Sequence, residues 1–259
     1  MPTIGIPQPF TITAIKTENV ATKTFSLAGS LAAEPGQFVM VWLPGYEDKP
    51  FSLANANPIR LTIAAVGPLS QALHRLQVGD SLWLRGPLGR GYKLHLPVQG
   101  VRRIALVGGG YGVAPLLFLA QEAQALGLQV SAIIGARTAA SLLLVEDFTA
   151  LGLPPLLTTE DGSAGQPGRV TDALRLLLAG SSQRPQAVFA CGPVGMLRAV
   201  ADMAAQADLP IQVGWEAHMR CGIGLCGSCE VGQGWLTCLD GPVFAFNPVQ
   251  AKEKGTGST

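Results

Sequence analysis

Near residue 100 the chain changes rhythm, and that change limits most of what it can fold into. Before it, short apolar runs recur between turn signals: "FTITAIK" (10–16), "TKTFSLA" (22–28), "QFVMVWL" (37–43), "RLTIAAV" (60–66) and "SLWLRG" (81–86). Glycine or proline punctuates almost every gap, as in "EPGQ", "LPGY" and "VGDS". Such spacing predicts a small antiparallel barrel or sandwich. One amphipathic helix interrupts it, with Leu69, Ala72, Leu73 and Leu76 on one side. After "PVQGVRR" (97–103), strand and helix alternate instead: "IALVG" then "VAPLLFLAQEAQAL", "VSAIIG" then a helical stretch through "LLLVEDFTAL", "PLLTT" then "VTDALRLLLA", "AVFACG" then "GMLRAVADMAAQ", and finally "IQVGWE". That alternation predicts a mostly parallel sheet with helices on both faces. The expected organisation is a β-barrel over 1–100, an α/β domain over 101–216, a small module over 217–250 and a polar tail over 251–259; 259 residues suffice for two cores and an appendage.

The best transmembrane candidate, "IALVGGGYGVAPLLFLA" (104–120), is at the short limit for a span and is broken by Gly108, Gly109, Gly110, Gly112 and Pro115. It reads as a buried strand, a glycine turn and a helix. The opening "MPTIGIPQPF" lacks the basic start and apolar core of a secretory signal, so the expectation is a cytoplasmic chain without a membrane role. A formal net charge of +1 invites neither nucleic acid nor an anionic surface.

Four of the five cysteines lie in "MRCGIGLCGSCEVGQGWLTC" (219–238), where Cys221, Cys226, Cys229 and Cys238 have the order C-x4-C-x2-C-x8-C. In a reducing compartment, clustered thiols point to metal ligation or catalysis before disulfides. Structural zinc usually takes two short ligand pairs across a spacer. Three close thiolates and a later fourth is how a plant-type [2Fe–2S] centre is wrapped. The spacing therefore favours [2Fe–2S] over zinc or redox thiols. Gly222, Gly224 and Gly227 suit it, because a loop without Cβ atoms can curl and aim backbone N–H groups at sulfur. The short interval before Cys238 suggests a compact module, not a free-standing ferredoxin.

Other segments leave alternatives open. "ALVGGGYGVAP" (105–115) departs from the dinucleotide fingerprint G-x-G-x-x-G; it is either a tight turn or a pyrophosphate cradle at a helix N-terminus. Cys191, in "FACGPVGM", is either a small buried apolar residue or a ligand neighbour at the carboxyl edge of the sheet. "KPFSLAN" (49–55) starts a strand with a cation and a hydroxyl, and "GPLGRGY" (86–92) is a glycine turn with a basic residue. His74, His95 and His218 lack ligand spacing and carry no assigned role. No nucleophile elbow, paired-carboxylate signature or Walker motif is present.

In this order, the segments resemble the ferredoxin reductase superfamily, a flavin-binding barrel followed by a nicotinamide-binding α/β domain. The resemblance implies that Lys49, Pro50, Phe51, Ser52 and Leu53 form the flavin motif, with lysine in place of the family arginine and Ser52 close to the isoalloxazine N5. It implies that Gly67 and Ser70 of "VGPLSQAL" face the FAD diphosphate. Gly108, Gly109, Gly110 and Gly112, together with Cys191, Gly192 and Pro193, match the nicotinamide-site segments, with Cys191 beside the ring. Within the superfamily, "CGIGLCGSC…CLDGPVF", "GPLGRGY", "GART" and "EDGSAGQPGRVTDAL" are most similar to the electron-transfer subunit of NAD-dependent dihydroorotate dehydrogenase. That likeness implies FAD, a [2Fe–2S] cluster and NAD(H) as cofactors, and a flavin-containing dihydroorotate dehydrogenase catalytic subunit as partner in a heterotetramer. Similar cysteine loops occur in the reductase subunits of sulfite reductases and hydrogenases, and a zinc-bearing adaptor protein is the non-enzyme alternative.

Overall fold

The computed structural model describes residues 5–95, 100–180, 183–232 and 234–246. Alternation of inward apolar and outward polar residues builds β1 (Gln8–Asn19), β2 (Thr22–Leu27), β3 (Phe38–Trp42), β4 (Lys49–Ala56), β5 (Ile59–Ala64) and β6 (Ser81–Leu88). These pair antiparallel in the order β1-β2-β5-β4-β3-β6, and β6 returns to β1, so that no sheet edge is left. Phe25, Leu27, Val39, Val41, Leu53, Ile59, Leu61 and Leu82 fill the interior. Helix α1 (Pro68–Leu73) plugs it with Leu69 and Leu73. The helix stops short of the expected Leu76. Arg75 and Leu76 instead bond three residues back, to Ala72 and Leu73, and Gln77 N–H donates to Asp80 Oδ2 at 2.8 Å, which turns the chain into β6.

Strand β3 is the exception to one-sided burial. Phe38, Val39, Met40 and Val41 are all buried, Val39 and Val41 inside the barrel. Phe38 and Met40 point the other way and are covered by residues 219–238. A strand apolar on both faces has to be covered on both faces.

The second half forms a seven-stranded sheet from β7 (Arg103–Gly109), β8 (Gln129–Ala136), β9 (Leu156–Thr159), β10 (Gln166–Pro167), β11 (Ala187–Cys191), β12 (Ile211–Gly214) and β13 (Val243–Phe246). Their order is β10-β9-β8-β7-β11-β12-β13, parallel except for β13. Helices α2 (Val113–Ala125) and α3 (Val145–Ala150) contribute to the core on one face. Helices α4 (Val170–Ala179) and α5 (Val194–Gln206) contribute to the core on the other. The stretch expected to be helical from Leu142 begins its helix only at Val145. Leu143 and Leu144 are buried, and Leu144 takes φ 59°, a left-handed step that redirects the chain before α3 starts.

Barrel and sheet share a packed joint. Phe118 of α2 belongs to the barrel core, and Ala54 of β4 belongs to the sheet core. Asp147 on α3 accepts from Lys16 Nζ of β1 at 2.8 Å and from Arg60 Nη2 of β5 at 2.6 Å. Burial alone would raise that carboxyl, but the hydrogen bonds from Lys16 and Arg60 outweigh it and hold Asp147 below its usual range. No described helix is long and apolar enough to cross a membrane. The tail expected over 251–259 lies outside the described residues.

Candidate functional site

Two features gather the residues that sequence singled out. The first is a crevice where β4 meets the carboxyl ends of β11 and β12, the edge at which open α/β sheets collect ligands. Ser52, Tyr92, Cys191, Gly214 and Glu216 line it, with Pro115 from the start of α2. Ser52 from the barrel and Cys191 from the sheet therefore line one small cavity, of about 20 Å³.

Backbone contact between two β-to-α turns forms one wall. Gly112 lies so close to the other turn that a Cβ there would be 2.3 Å from the Cys191 carbonyl and 2.5 Å from Gly192 N. Only glycine allows that approach. Gly109 is pressed against Met196 in the same way, and Gly108 against Val113. Gly109 and Gly112 thus pack the two turns together, while Gly108 lets its own strand close onto the start of α2. Gly110 has open space around its missing side chain.

The titratable groups of the crevice are mostly held neutral. Burial, then the charge of Glu216, pushes the Cys191 thiol up to about 12, so at neutral pH it is a thiol and not a nucleophile. Burial also raises Tyr92, whose hydroxyl donates to the Ala190 carbonyl at 3.0 Å. Glu216 stands exposed at the mouth, and partial desolvation raises its carboxyl. Tyr92 and Glu216 were not singled out from sequence. The signal available for Glu216 was its place directly after an apolar strand, where the sheet presents its ligand edge.

Several expected flavin residues lie outside this cavity. Lys49 Nζ pairs with Glu47 Oε2 at 2.9 Å on the surface. Phe51 packs partly buried against the barrel core, next to Pro50 on β4. Leu53 is wholly buried in that core, with its N–H bonded to Gln37 O, so its side chain is a packing group. Ser70 Oγ accepts from the N–H groups of Val66 and Gly67 and donates to Gly67 O, which fixes the turn before α1. A diphosphate approaching this turn would meet backbone before it met the serine hydroxyl. A larger groove of about 610 Å³, between residues 31–34, 55–57 and α2, contains none of the expected residues.

The second feature is the cysteine loop that follows β12. All its cysteines are free of disulfides. Cys229 Sγ and Cys238 Sγ lie 3.4 Å apart, and Cys226 neighbours Cys221 closely enough to affect its ionisation. The four thiols therefore lie close together, Cys229 against Cys238 and Cys221 near both Cys226 and Cys238. Two thiolates on each of two irons is the donor set of a dinuclear cluster. Backbone N–H groups point at sulfur: Gly224 N to Cys238 Sγ at 3.2 Å, and Ile223 and Leu225 N to Cys221 Sγ at 3.5 and 3.3 Å. Hydrogen bonds from the Ser228 hydroxyl and N–H draw the exposed Cys226 thiol down to about 6. Burial and then Cys229 push Cys238 up to about 12, a mutual repulsion relieved when both sulfurs share a cation.

The loop rests on the outer face of the barrel. Phe38, Met40 and Leu88 form its floor, together with Met219, Cys229 and Cys238. Its closing end is held at the joint, where Arg90 N–H donates to Gly241 O and Trp215 N–H donates to Pro242 O at 2.8 Å. Gly89, at φ 73°, would otherwise place a Cβ 2.6 Å from the Gly241 carbonyl. The lip is apolar and exposed at Leu225, Trp235 and Leu239.

Comparison with known proteins adds to this geometry. Residues 216–250 match the iron–sulfur cluster binding domain of dihydroorotate dehydrogenase B, and residues 106–202 match the oxidoreductase NAD-binding domain. A protein of Methanopyrus kandleri is 40% identical over 224 residues, covering 86% of this chain and 83% of that one; it bears the name "Probable dihydroorotate dehydrogenase B (NAD(+)), electron transfer subunit". A protein of Methanothermobacter thermautotrophicus with the same name is 39% identical over 251 residues, covering 94% and 91%. Among solved structures, the NADH-dependent reduced ferredoxin-NADP oxidoreductase, studied for flavin-based electron bifurcation, superimposes with a TM-score of 0.81 at 29% identity, over 93% of this chain and 89% of that one.

Proposed function

Since this chain belongs to the family of dihydroorotate dehydrogenase B (NAD(+)) electron transfer subunits, we propose that it relays electrons between NAD(H), FAD and a [2Fe–2S] cluster, to and from a catalytic dihydroorotate dehydrogenase. The observation that carries the reading is the meeting of Ser52 and Cys191 at one cavity, in a chain whose following loop gathers four thiols. When bound, nicotinamide exchanges two electrons as a hydride, the cluster takes one at a time, and a flavin between them does both.

The chain's own groups bind and orient. The strand from Lys49 to Leu53 offers the flavin a wall, with Ser52 toward the ring and Lys49 as a cation that can leave Glu47 for the diphosphate. Gly67 and Ser70 supply a rigid turn for the same diphosphate. Gly109 and Gly112 pack against the turn of Cys191, Gly192 and Pro193 to form the nicotinamide wall, Gly108 closes onto Val113, Gly110 stays unobstructed, and the neutral Cys191 thiol fills space and excludes water. Cys221, Cys226, Cys229 and Cys238 are the cluster ligands. In this reading, residues 1–100, 101–216 and 217–250 are the flavin, nicotinamide and cluster units.

The partner is a flavin-containing catalytic subunit, assembled with this chain as a heterotetramer in the cytoplasm, without membrane or nucleic acid. The exposed Leu225, Trp235 and Leu239 support docking at the cluster lip, since apolar side chains ringing a redox loop are better covered than solvated. Anaerobic co-purification with that partner tests the whole reading. The expected result is a coloured complex containing flavin and two irons per chain, which reduces NAD+ with dihydroorotate. A colourless, iron-free complex, or one unable to couple the two substrates, overturns it.

A further inference from the structure

By strand parity Arg85 belongs to the outside of the barrel: Leu82 and Leu84 of β6 face inward, and Ser81, Trp83 and Arg85 face away. The side chain is nevertheless only 12% exposed, because the cysteine loop lies over it. Its Nη2 donates to the backbone carbonyl of Cys221 at 2.9 Å and to Asp48 Oδ2 at 3.1 Å. Three separate parts of the chain, β6, the β3–β4 connection and the start of the sulfur loop, are therefore tied together through one guanidinium.

We propose that Arg85 is a positioning residue for electron transfer, which fixes the backbone of the first cysteine ligand and holds a permanent positive charge that raises the reduction potential of the cluster. The proposal rests on the iron–sulfur reading of the loop. Reduction adds one electron, and so one negative charge, with no bond made or broken; in the cell the electron comes from a flavin, in a titration from dithionite. A nearby cation stabilises the reduced state over the oxidised one.

Position distinguishes Arg85 from the other cations near the loop. Lys49 is more exposed and paired with Glu47, and Arg220 is exposed, so solvent screens both. Arg85 is covered, and its counter-charge, Asp48, is 31% exposed and offsets it only in part. A guanidinium also holds the Cys221 carbonyl and Asp48 together from one planar group, which an ammonium does less well.

The test is an EPR-monitored redox titration of the holo-complex with Arg85→Gln, Arg85→Lys and Asp48→Asn. Arg85→Gln, which keeps an N–H donor but loses the charge, is expected to lower the ratio of reduced to oxidised cluster about tenfold at fixed potential, which is a fall of about 59 mV. Arg85→Lys should recover most of that shift, and Asp48→Asn should move the midpoint upward. A fully iron-loaded Arg85→Gln protein whose titration overlays the parent overturns the proposal. If Arg85→Gln fails to load iron, Asp48→Asn decides, since it leaves the bond to Cys221 in place; an unmoved midpoint there overturns the proposal equally. A parent complex without iron overturns the iron–sulfur reading and the role of Arg85 with it, whereas a loaded parent with unresponsive variants overturns the role alone.

Discussion

At the crevice, Gly112 is pressed against Cys191 and Gly192 so closely that no side chain fits, while on the sulfur loop Gly227, Gly232 and Gly234 would meet nothing within 4 Å. The crevice walls are the ends of buried strands, locked by packing before any ligand arrives. The loop has a buried floor at Cys229 and Cys238, where Thr237 bonds the Cys229 carbonyl, but an exposed crest at Cys226. One region is preorganised by the fold, and the other is completed by what it ligates. A nicotinamide site has to release its ligand at each turnover and keep its shape, whereas a cluster stays bound and can contribute to the stability of its own surroundings.

The difference makes the largest expected effect a local one. Cys226→Ser, or removal of iron by a chelator under reducing conditions, should abolish cluster absorption and partner-linked turnover. Most NADH-to-dye activity should survive, because the crevice does not depend on the loop's ligands. Hydrogen exchange should then rise over 221–238 and not over 104–120; a rise in both would erase the distinction between the two regions. Gly112→Ala probes the packed side. It forces a Cβ into the Cys191 carbonyl and should cost about 1–3 kcal/mol with a weaker affinity for NADH, measured by denaturant melts and KM, while iron content stays at the parental value.

A third effect tests the joint that keeps the crevice in register. Asp147→Ala removes the shared acceptor of Lys16 and Arg60 and should destabilise by about 1–2 kcal/mol, discounted for partial exposure. Because the Asp147 carboxyl is held below its unfolded value of 3.8, its stabilisation is fully present above that pH and disappears as pH falls through the folded value. The parent should therefore lose its advantage over the variant only below about pH 4 in paired acid melts. The smallest effect is that of Tyr92→Phe, which leaves the Ala190 carbonyl without its hydroxyl donor and should cost about 1 kcal/mol. Altered iron content in that variant would show that the crevice and the loop are more tightly coupled than their packing suggests.

Sequence carried the architecture further than it carried the site. The alternation of apolar runs gave every parallel strand but the two-residue β10, because period and punctuation are local properties. It could not give β13, whose partner β12 lies beyond the whole cysteine loop, nor the early end of α1, which the turn into β6 dictates. Cysteine spacing singles out the four thiols as candidates, since ligand intervals are a local property. Arg85 was invisible for the opposite reason: its place in β6 marks it as outward, and only the fold shows that a loop from residue 221 covers it. Leu53 and Ser70 illustrate the same limit, as motif neighbours whose side chains the structure commits to core and turn.

The antiparallel pairing of β12 with β13 sets Gly214 opposite Val243. Everything between them is, in chain terms, the bulb of one very long hairpin with its two stems already zipped together. A bulb of this kind can be lengthened, shortened or exchanged between proteins without rethreading the sheet that carries it. Strand β13 also covers the flank of β12, which would otherwise offer its free N–H and C=O groups to a stray strand. The redox appendage thus leaves and rejoins the sheet at neighbouring residues of one strand pair.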